Sequence, residues 1–386
     1  MRYLLTGGGT GGHVYPALAI KELLKQYDQT ASFLYVGTAG KAEEYILGSL
    51  PAEEAVQVNY ITARGLPRSK NVLKFFPFLK DLFVGTYTSF GIIKRFNPDV
   101  IIATGGYVSA PVVLAGYLRR RKIVIHEQNS VPGLVNKVLS RFADRILVSF
   151  PETITFFPAD KVSVTGYPIR RKITRYNKPV VRKQLGIPSE ALVVFIFGGS
   201  SGARLINEAV VSGLKTILND ERIVLIHGTG RDIQNSIQSY SDTLHLVNAL
   251  YLDSVLLNRY IIRDYFFDID VIYSAADLVV SRAGAGTIME CAALGLPMIL
   301  IPKTGLPGDH QTKNARSVER AGGGVIIPEE RKSGRTTLDS QRLAEAIIAI
   351  LTDAPRLIEM GKNIQKLYNP DDNEQIVKEI TALFPN

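Results

Sequence analysis

The chain of 386 residues has a single cysteine, Cys291. One thiol excludes an intrachain disulfide and any metal site built on a cysteine cluster, and it suits a cytosolic protein. No apolar run reaches the ~18 residues that a membrane-spanning helix needs. The N-terminal Met1-Arg2-Tyr3-Leu4-Leu5 passes straight into a strand and a glycine loop, so no signal peptide is expected. Two motif completions are also missing. Gly7, Gly9 and Gly12 satisfy G-x-G-x-x-G, yet the second strand, Phe33 to Val36, ends in Gly37-Thr38-Ala39 without the acid that a dinucleotide ribose needs. No Gly-Lys-Ser/Thr follows those glycines, which excludes a P-loop.

Apolar content of 46% with 21% charged residues is that of a soluble globular protein, long enough for two domains. The net charge of +9 is uneven: residues 1–165 hold 19 Lys and Arg against 12 Asp and Glu, a surplus of seven. A basic first half points to an anionic partner: nucleic acid, membrane lipid or a phosphorylated substrate.

The pattern strand, glycine turn, helix occurs repeatedly. Tyr3 to Leu5 leads into Thr6-Gly7-Gly8-Gly9-Thr10-Gly11-Gly12-His13 and a helix from Val14 to Leu24, with Pro16 in its first turn. Asp99 to Ala103 leads into Thr104-Gly105-Gly106-Tyr107, and Leu192 to Phe197 into Gly198-Gly199-Ser200-Ser201-Gly202. Leu278 to Val280 leads into Arg282-Ala283-Gly284-Ala285-Gly286-Thr287, with Ile288, Cys291, Ala292 and Leu294 at helical spacing behind it. A helix that starts at such a turn offers unpaired N–H groups and the positive end of its dipole, a place for a phosphate.

Glu290 follows in that helix, as an acceptor for two ribose hydroxyls or as an acid favoured by the helix dipole. Gln311 and Asn314 lie one helical turn apart, a pair of amides suited to sugar hydroxyls. His13 closes the first glycine turn at the carboxyl end of a parallel sheet, where α/β sites form, and the helix start there should disfavour its imidazolium. His126-Glu127-Gln128-Asn129 is a polar cluster at a strand's end that packing does not explain. Asp268-Ile269-Asp270 has the form of a metal-binding D-x-D, but Asp268 is placed to start a helix.

In 69–97, Leu73, Phe75, Phe76, Phe78, Leu79, Leu82 and Phe83 alternate with Lys70, Lys74 and Lys80. This is either a core helix with solvated lysines or an amphipathic surface for anionic bilayers.

Five motifs together resemble the MurG family of peptidoglycan glycosyltransferases, in the same order over nearly the whole chain. They are Gly8 to Val14, Gly105-Gly106-Tyr107-Val108, His126 to Asn129, Gly198-Gly199-Ser200 with Gly202-Ala203-Arg204, and the 282–314 stretch. The resemblance implies an α/β protein of GT-B architecture, two doubly wound Rossmann-like domains facing a cleft. It implies an acceptor- and membrane-associating domain at 1–165, a UDP-sugar donor domain at 166–355, and a helical tail at 356–386 packing back on the first. The implied reaction is inverting transfer of N-acetylglucosamine from its UDP donor to an undecaprenyl-diphosphate-linked muramoyl-pentapeptide. The implied location is peripheral, on the cytoplasmic face of the cell membrane, with anionic lipid met by 69–97 and no nucleic acid.

By that match, substrate lies along Thr10, Gly11, Gly12, Asn129, Arg170, Ser200, Ala285, Gly286, Thr287, Ile288, Met289, Glu290, Gln311 and Asn314, with Phe266 near the uracil. The general base is His13 or Glu127, and neither a metal nor a cofactor is expected. Two departures stand out: Gly166-Tyr167-Pro168 where the family has Gly-Asn-Pro, and a longer stretch at 246–265. Rival readings are a UDP-sugar 2-epimerase-like enzyme, a non-catalytic membrane-bound subunit, and, weakened by the missing acid, an NAD-dependent oxidoreductase.

Overall fold

The computed structural model describes the whole chain except residues 68–74, 170–172, 174, 200, 201, 231–238, 306–308, 333, 385 and 386. The chain forms two compact units, Met1–Arg171 with Pro370–Asn386, and Lys172–Asn369.

Runs such as Val100-Ile101-Ile102 and Ile123-Val124-Ile125 give strands buried on both faces, as parallel strands covered by helices must be. The first unit opens with β1 (Arg2–Thr6), α1 (Gly11–Tyr27), β2 (Ser32–Gly37), α2 (Ala42–Gly48) and β3 (Gln57–Tyr60). It continues with α3 (Phe75–Phe96), β4 (Val100–Ala103), α4 (Ser109–Leu118), β5 (Lys122–Glu127), α5 (Leu134–Leu139), β6 (Arg145–Val148) and β7 (Val162–Val164). The strands pair in the parallel order β3-β2-β1-β4-β5-β6-β7. Alternate side chains serve two cores: Leu4 and Ile101 face one, Tyr3, Leu5 and Ile102 the other.

The second unit starts with α6 (Lys178–Gln184), β8 (Leu192–Phe197), α7 (Arg204–Ile217), β9 (Ile223–Gly228), α8 (Ser239–Asn248), α9 (Ser254–Leu257) and β10 (Tyr260–Arg263). Then come α10 (Ile269–Ala275), β11 (Leu278–Ser281), α11 (Ala285–Leu294), β12 (Met298–Leu300), α12 (His310–Arg320) and β13 (Gly324–Ile326). A hairpin of β14 (Glu330–Lys332) and β15 (Arg335–Thr337) precedes α13 (Ser340–Leu351) and α14 (Ala354–Gln365). The sheet order is β10-β9-β8-β11-β12-β13, the same winding as the first six strands of the other unit. In both sheets the winding reverses beside the first strand, between β1 and β4 and between β8 and β11. Ligand sites in doubly wound sheets form at the carboxyl ends of the strands flanking such a reversal. All four glycine turns read from the sequence follow those four strands.

Four boundaries differ from expectation. The tail expected at 356–386 is divided: α14 packs on α11 in the second unit, and only the chain from Pro370 belongs to the first. There α15 (Asp372–Thr381) lies on α1 and β6, with Ile376 and Ile380 in the core. The expected boundary at 166 also moves, because the 166–169 segment stays with the first unit. Asn373 Oδ1 accepts the Ile169 N–H at 3.3 Å, and a Cβ on Gly166 (φ +71°) would stand 1.6 Å from Asp372 Oδ2. Finally, α1 and α11 each begin three residues before the apolar periodicity does, inside their glycine turns. Pro16 therefore falls in the second turn of α1, and the Gly12 carbonyl has no amide donor four residues on.

Candidate functional site

In the first unit two glycine turns meet backbone to backbone. The Gly8 N–H donates to Gly105 O at 3.2 Å, and a Cβ on Gly106 (φ +81°) would lie 2.1 Å from Gly8 O. His13, half-buried as the third residue of α1, is fixed between them. Its Nδ1 is 3.0 Å from Thr104 O, while Thr104 Oγ1 donates to His13 O at 2.6 Å. A carbonyl only accepts, so the neutral ring carries its proton on Nδ1 and the lone pair on Nε2. Thr10 and Gly12 are exposed beside it at the helix start, and Gly11 is half-buried.

Strand β5 delivers His126 and Glu127, both buried. Glu127 spends both oxygens on the loop that follows it and on α5: Oε1 accepts from the Asn129 N–H (3.0 Å) and Nδ2 (3.1 Å), and Oε2 from Gly133 N–H (3.1 Å) and Asn136 Nδ2 (2.9 Å). Four donors leave this carboxylate a loop anchor more readily than a base, and they hold Asn129, half-buried, in place. His126 Nε2–H donates to Gly166 O at 3.2 Å and its Nδ1 accepts from Gln128 Nε2 at 3.1 Å. Burial pushes the His126 imidazole down to about 4.

The second unit presents the other reversal. Helix α11 starts after Gly284 with no side-chain cap and no acid in its first turn. Its leading N–H groups therefore remain available to an anion. Glu290 is the sixth residue of α11, beyond the first turn where the dipole would favour an acid, which removes that explanation for it. The Tyr273 hydroxyl donates to Glu290 Oε2 at 3.1 Å. Gly286 and Thr287 are half-buried, whereas the side chains of Ala285, Ile288 and Met289 are buried, leaving those three only backbone groups for a ligand.

The two amides of α12 have different surroundings. Gln311 is half-buried and gives its Oε1 to the Lys303 N–H at 2.8 Å. Asn314 is fully buried and its Nδ2 donates to Ala283 O at 3.3 Å, which braces the turn before α11. Phe266 is likewise buried, edge-on to Phe195 at 5.7 Å, and the exposed ring at this place is its neighbour Phe267. Arg170 and Ser200 lie outside the described residues. Asp268 directly precedes α10, and Asp270 is buried in its first turn.

Two features carried no sequence signal that the motifs exposed. Arg282, at the head of the turn before α11, pairs with Glu329 at 2.7 Å and donates to Ile301 O at 3.1 Å. Burial alone pushes the Glu329 carboxyl up, but the Thr304 N–H and Arg282 outweigh it and hold the group below its usual range. The pair thus ties three loops together. In the first unit, Glu43 is fully buried under the Gly7–Gly12 turn. The acid expected at the end of β2 is indeed absent, and this one arrives from the first turn of α2.

His227 is a further buried imidazole, taking the Tyr260 O–H on Nδ1 (2.7 Å) and giving Nε2–H to Asn207 Oδ1 (3.1 Å). Burial pushes it down to about 3. An unfolded-state histidine titrates near 6.5, so below that pH the unfolded chain gains protons that folded His126 and His227 refuse. Stability is expected to fall as pH drops from about 6.5 towards 4, and to fall less in His227→Gln. Urea midpoints at about pH 7 and 5 test this; equal drops would assign the effect to other groups.

Helix α3 turns Gly85, Ser89, Ile92 and Ile93 inward and leaves Phe76 (65% exposed), Leu79 (55%), Phe83 (75%) and Tyr87 (77%) outside. Their spacing of three, four and four residues makes one apolar stripe, with Lys80 exposed beside it. A core helix would have buried this face. Lys70, Leu73 and Lys74 lie outside the described residues. No helix among the described residues is long and apolar enough to cross a membrane.

Comparison with known proteins bears on both units. Residues 3–148 match the glycosyltransferase family 28 N-terminal domain and residues 193–376 its C-terminal domain. A protein of Desulforamulus reducens is 38% identical over 100% of this chain and 99% of its own length. Another, of Natranaerobius thermophilus, is 38% identical over 100% of both. Each is named UDP-N-acetylglucosamine--N-acetylmuramyl-(pentapeptide) pyrophosphoryl-undecaprenol N-acetylglucosamine transferase. Among solved structures, Acinetobacter baumannii MurG aligns with a TM-score of 0.69 at 26% identity, covering 99% of each chain. A Listeria monocytogenes protein described as a UDP-N-acetylglucosamine 2-epimerase reaches 0.69 at 12% identity, a likeness of fold alone.

Proposed function

The chain belongs to glycosyltransferase family 28, and from that premise we propose that it transfers N-acetylglucosamine from UDP-N-acetylglucosamine to a lipid-linked muramoyl-pentapeptide, with inversion. The observation that carries the reading is full-length identity of 38% to transferases of that name, joined to glycine turns at both sheet reversals.

The second unit binds the donor. The N–H groups at the start of α11 take the diphosphate and the charge that develops on it as the glycosidic bond breaks. Glu290, oriented by Tyr273, accepts the ribose hydroxyls, and Gln311 keeps its amide nitrogen as a donor to the sugar. The backbone of 285–289 completes the cradle. In this reading no metal or cofactor takes part. The first unit binds the acceptor, and His13 Nε2 removes the proton of the attacking hydroxyl. Asn129, held by Glu127, serves as a substrate contact, with Thr10 to Gly12 beside it.

The exposed stripe of α3 is assigned to the cytoplasmic membrane surface, its rings at the acyl boundary and the basic surplus of the first unit near anionic head groups. Binding to vesicles containing anionic lipid is expected to weaken with salt. Replacing Phe76, Phe83 and Tyr87 with Ser is expected to abolish most of that binding while UDP affinity and the thermal midpoint hold, since all three rings are exposed. Undiminished vesicle binding would remove the stripe from the membrane.

The reaction itself is tested by UDP release from UDP-N-acetylglucosamine with and without the muramoyl acceptor. Acceptor-dependent release is expected. Isomerisation of the UDP-sugar without acceptor would instead place the chain with the epimerases whose fold it shares.

A further inference from the structure

A glycine turn between a strand and a helix commonly holds a ligand's phosphate on its N–H groups. In the first unit the chain fills that place itself. Glu43 Oε2 accepts the Gly9 N–H at 2.9 Å, and Oε1 accepts the Thr38 N–H at 3.1 Å. Room for the carboxylate comes from absent side chains. A Cβ on Gly8 would stand 2.4 Å from Glu43 Oε1, and one on Gly37 would stand 3.0 Å from Glu43 Cγ. Glu43 is fully buried, and among the described residues no Lys or Arg forms an ion pair with it. Burying a carboxylate without a cation is expensive, and a neutral side chain would fill the same space without that cost.

We infer that Glu43 is a positioning residue for the transfer reaction, a built-in anion that holds the Gly7–Gly12 turn in the one form that places His13. The inference rests on the reading of His13 as the base. The turn is gripped from two sides. Glu43 holds Gly9 from below, and the 104–106 turn holds Gly8 and His13 from the other side, through Gly105 O, Thr104 O and Thr104 Oγ1. Gly9 itself has φ +84°, a conformation open to glycine, whose wide backbone freedom leaves the hydrogen bond to Glu43 to narrow the turn to one form. With the carboxylate gone, the Gly9 end of the turn is released while the Thr104 end stays bound, and the start of α1 tilts. A base displaced by about an ångström loses on the order of a hundredfold in rate. The same arrangement implies that the Gly9 N–H is not a phosphate site, because it is already taken.

Glu43→Gln keeps the shape but sets an amide NH₂ against one of the two N–H groups. The expected result, in the full chain with UDP-N-acetylglucosamine and lipid-linked acceptor, is a kcat lower by about 10- to 100-fold. UDP affinity should stay within about twofold of the parent, since the donor site belongs to the other unit. His13→Ala combined with Glu43→Gln should be no slower than His13→Ala alone, because two residues acting through one group are not additive. Parent-like turnover in Glu43→Gln overturns the inference, and so do losses that multiply in the double variant. If His13→Ala alone proves harmless, the reading of His13 falls and this inference with it. If His13→Ala is slow and Glu43→Gln is not, only this inference falls. Should Glu43→Gln fail to fold, Gly8→Ala provides the second arm: its Cβ displaces the carboxylate, and the same selective loss of kcat is expected. Parent-like turnover there also overturns the inference.

Discussion

Replacing His13 with alanine is expected to lower kcat by ~10²–10⁴-fold, with a much smaller effect on UDP affinity. The expectation rests on the tautomer that the fold imposes. Thr104 O accepts a hydrogen bond from Nδ1–H at 3.0 Å, which leaves Nε2 as the lone-pair nitrogen, the form a base requires. If His13 instead donated a hydrogen bond to the diphosphate, UDP affinity would fall together with turnover. Measuring both quantities on one variant separates the roles. Normal turnover would exclude both. Glu127 is a poor substitute, because four donors from the following loop and α5 already occupy its two oxygens.

Glu290→Ala is expected to weaken UDP binding by ~1.5–3 kcal/mol, the worth of hydrogen bonds to a charged group, or about ten- to a hundredfold. Glu290 lies past the first turn of α11, so its removal takes away little helix stability and the thermal midpoint should change modestly. Tyr273→Phe removes only the hydroxyl that orients the carboxylate and should weaken binding less. Calorimetric titration with UDP reads both variants. Unchanged affinity in a folded Glu290→Ala would take Glu290 away from the ribose.

Much of the frame was legible because it is written in apolar periodicity and glycines. The strands followed by glycine turns stand within a residue or two of their expected places, and both sheets are doubly wound and parallel. The starts of α1 and α11 were not legible. Their first turns carry Gly11, Gly12, Gly286 and Thr287, so nothing apolar marks them. For the same reason Glu290 looked like a first-turn acid. Asn314 and Phe266 carried side-chain types that suit a sugar and a base, and spacing gave no sign that both would be buried. Spacing alone places Gln311 and Asn314 on one helix face without saying that the face is half core. Glu43 and Glu329 were missed because each reaches its turn from a separate element, a relation that only the topology creates. The α3 stripe was balanced between core and surface until exposure of its rings separated the two.

Acceptor-dependent, inverting transfer leaves its record in the product. Purified protein is incubated with UDP-N-acetylglucosamine labelled in the sugar and with the lipid-linked muramoyl-pentapeptide, and the lipid fraction is examined for label and for anomeric configuration. A labelled lipid-linked disaccharide is expected, whose new bond has the configuration opposite to that of the donor. Retention of configuration, or label that never leaves the nucleotide sugar in the presence of acceptor, would contradict it.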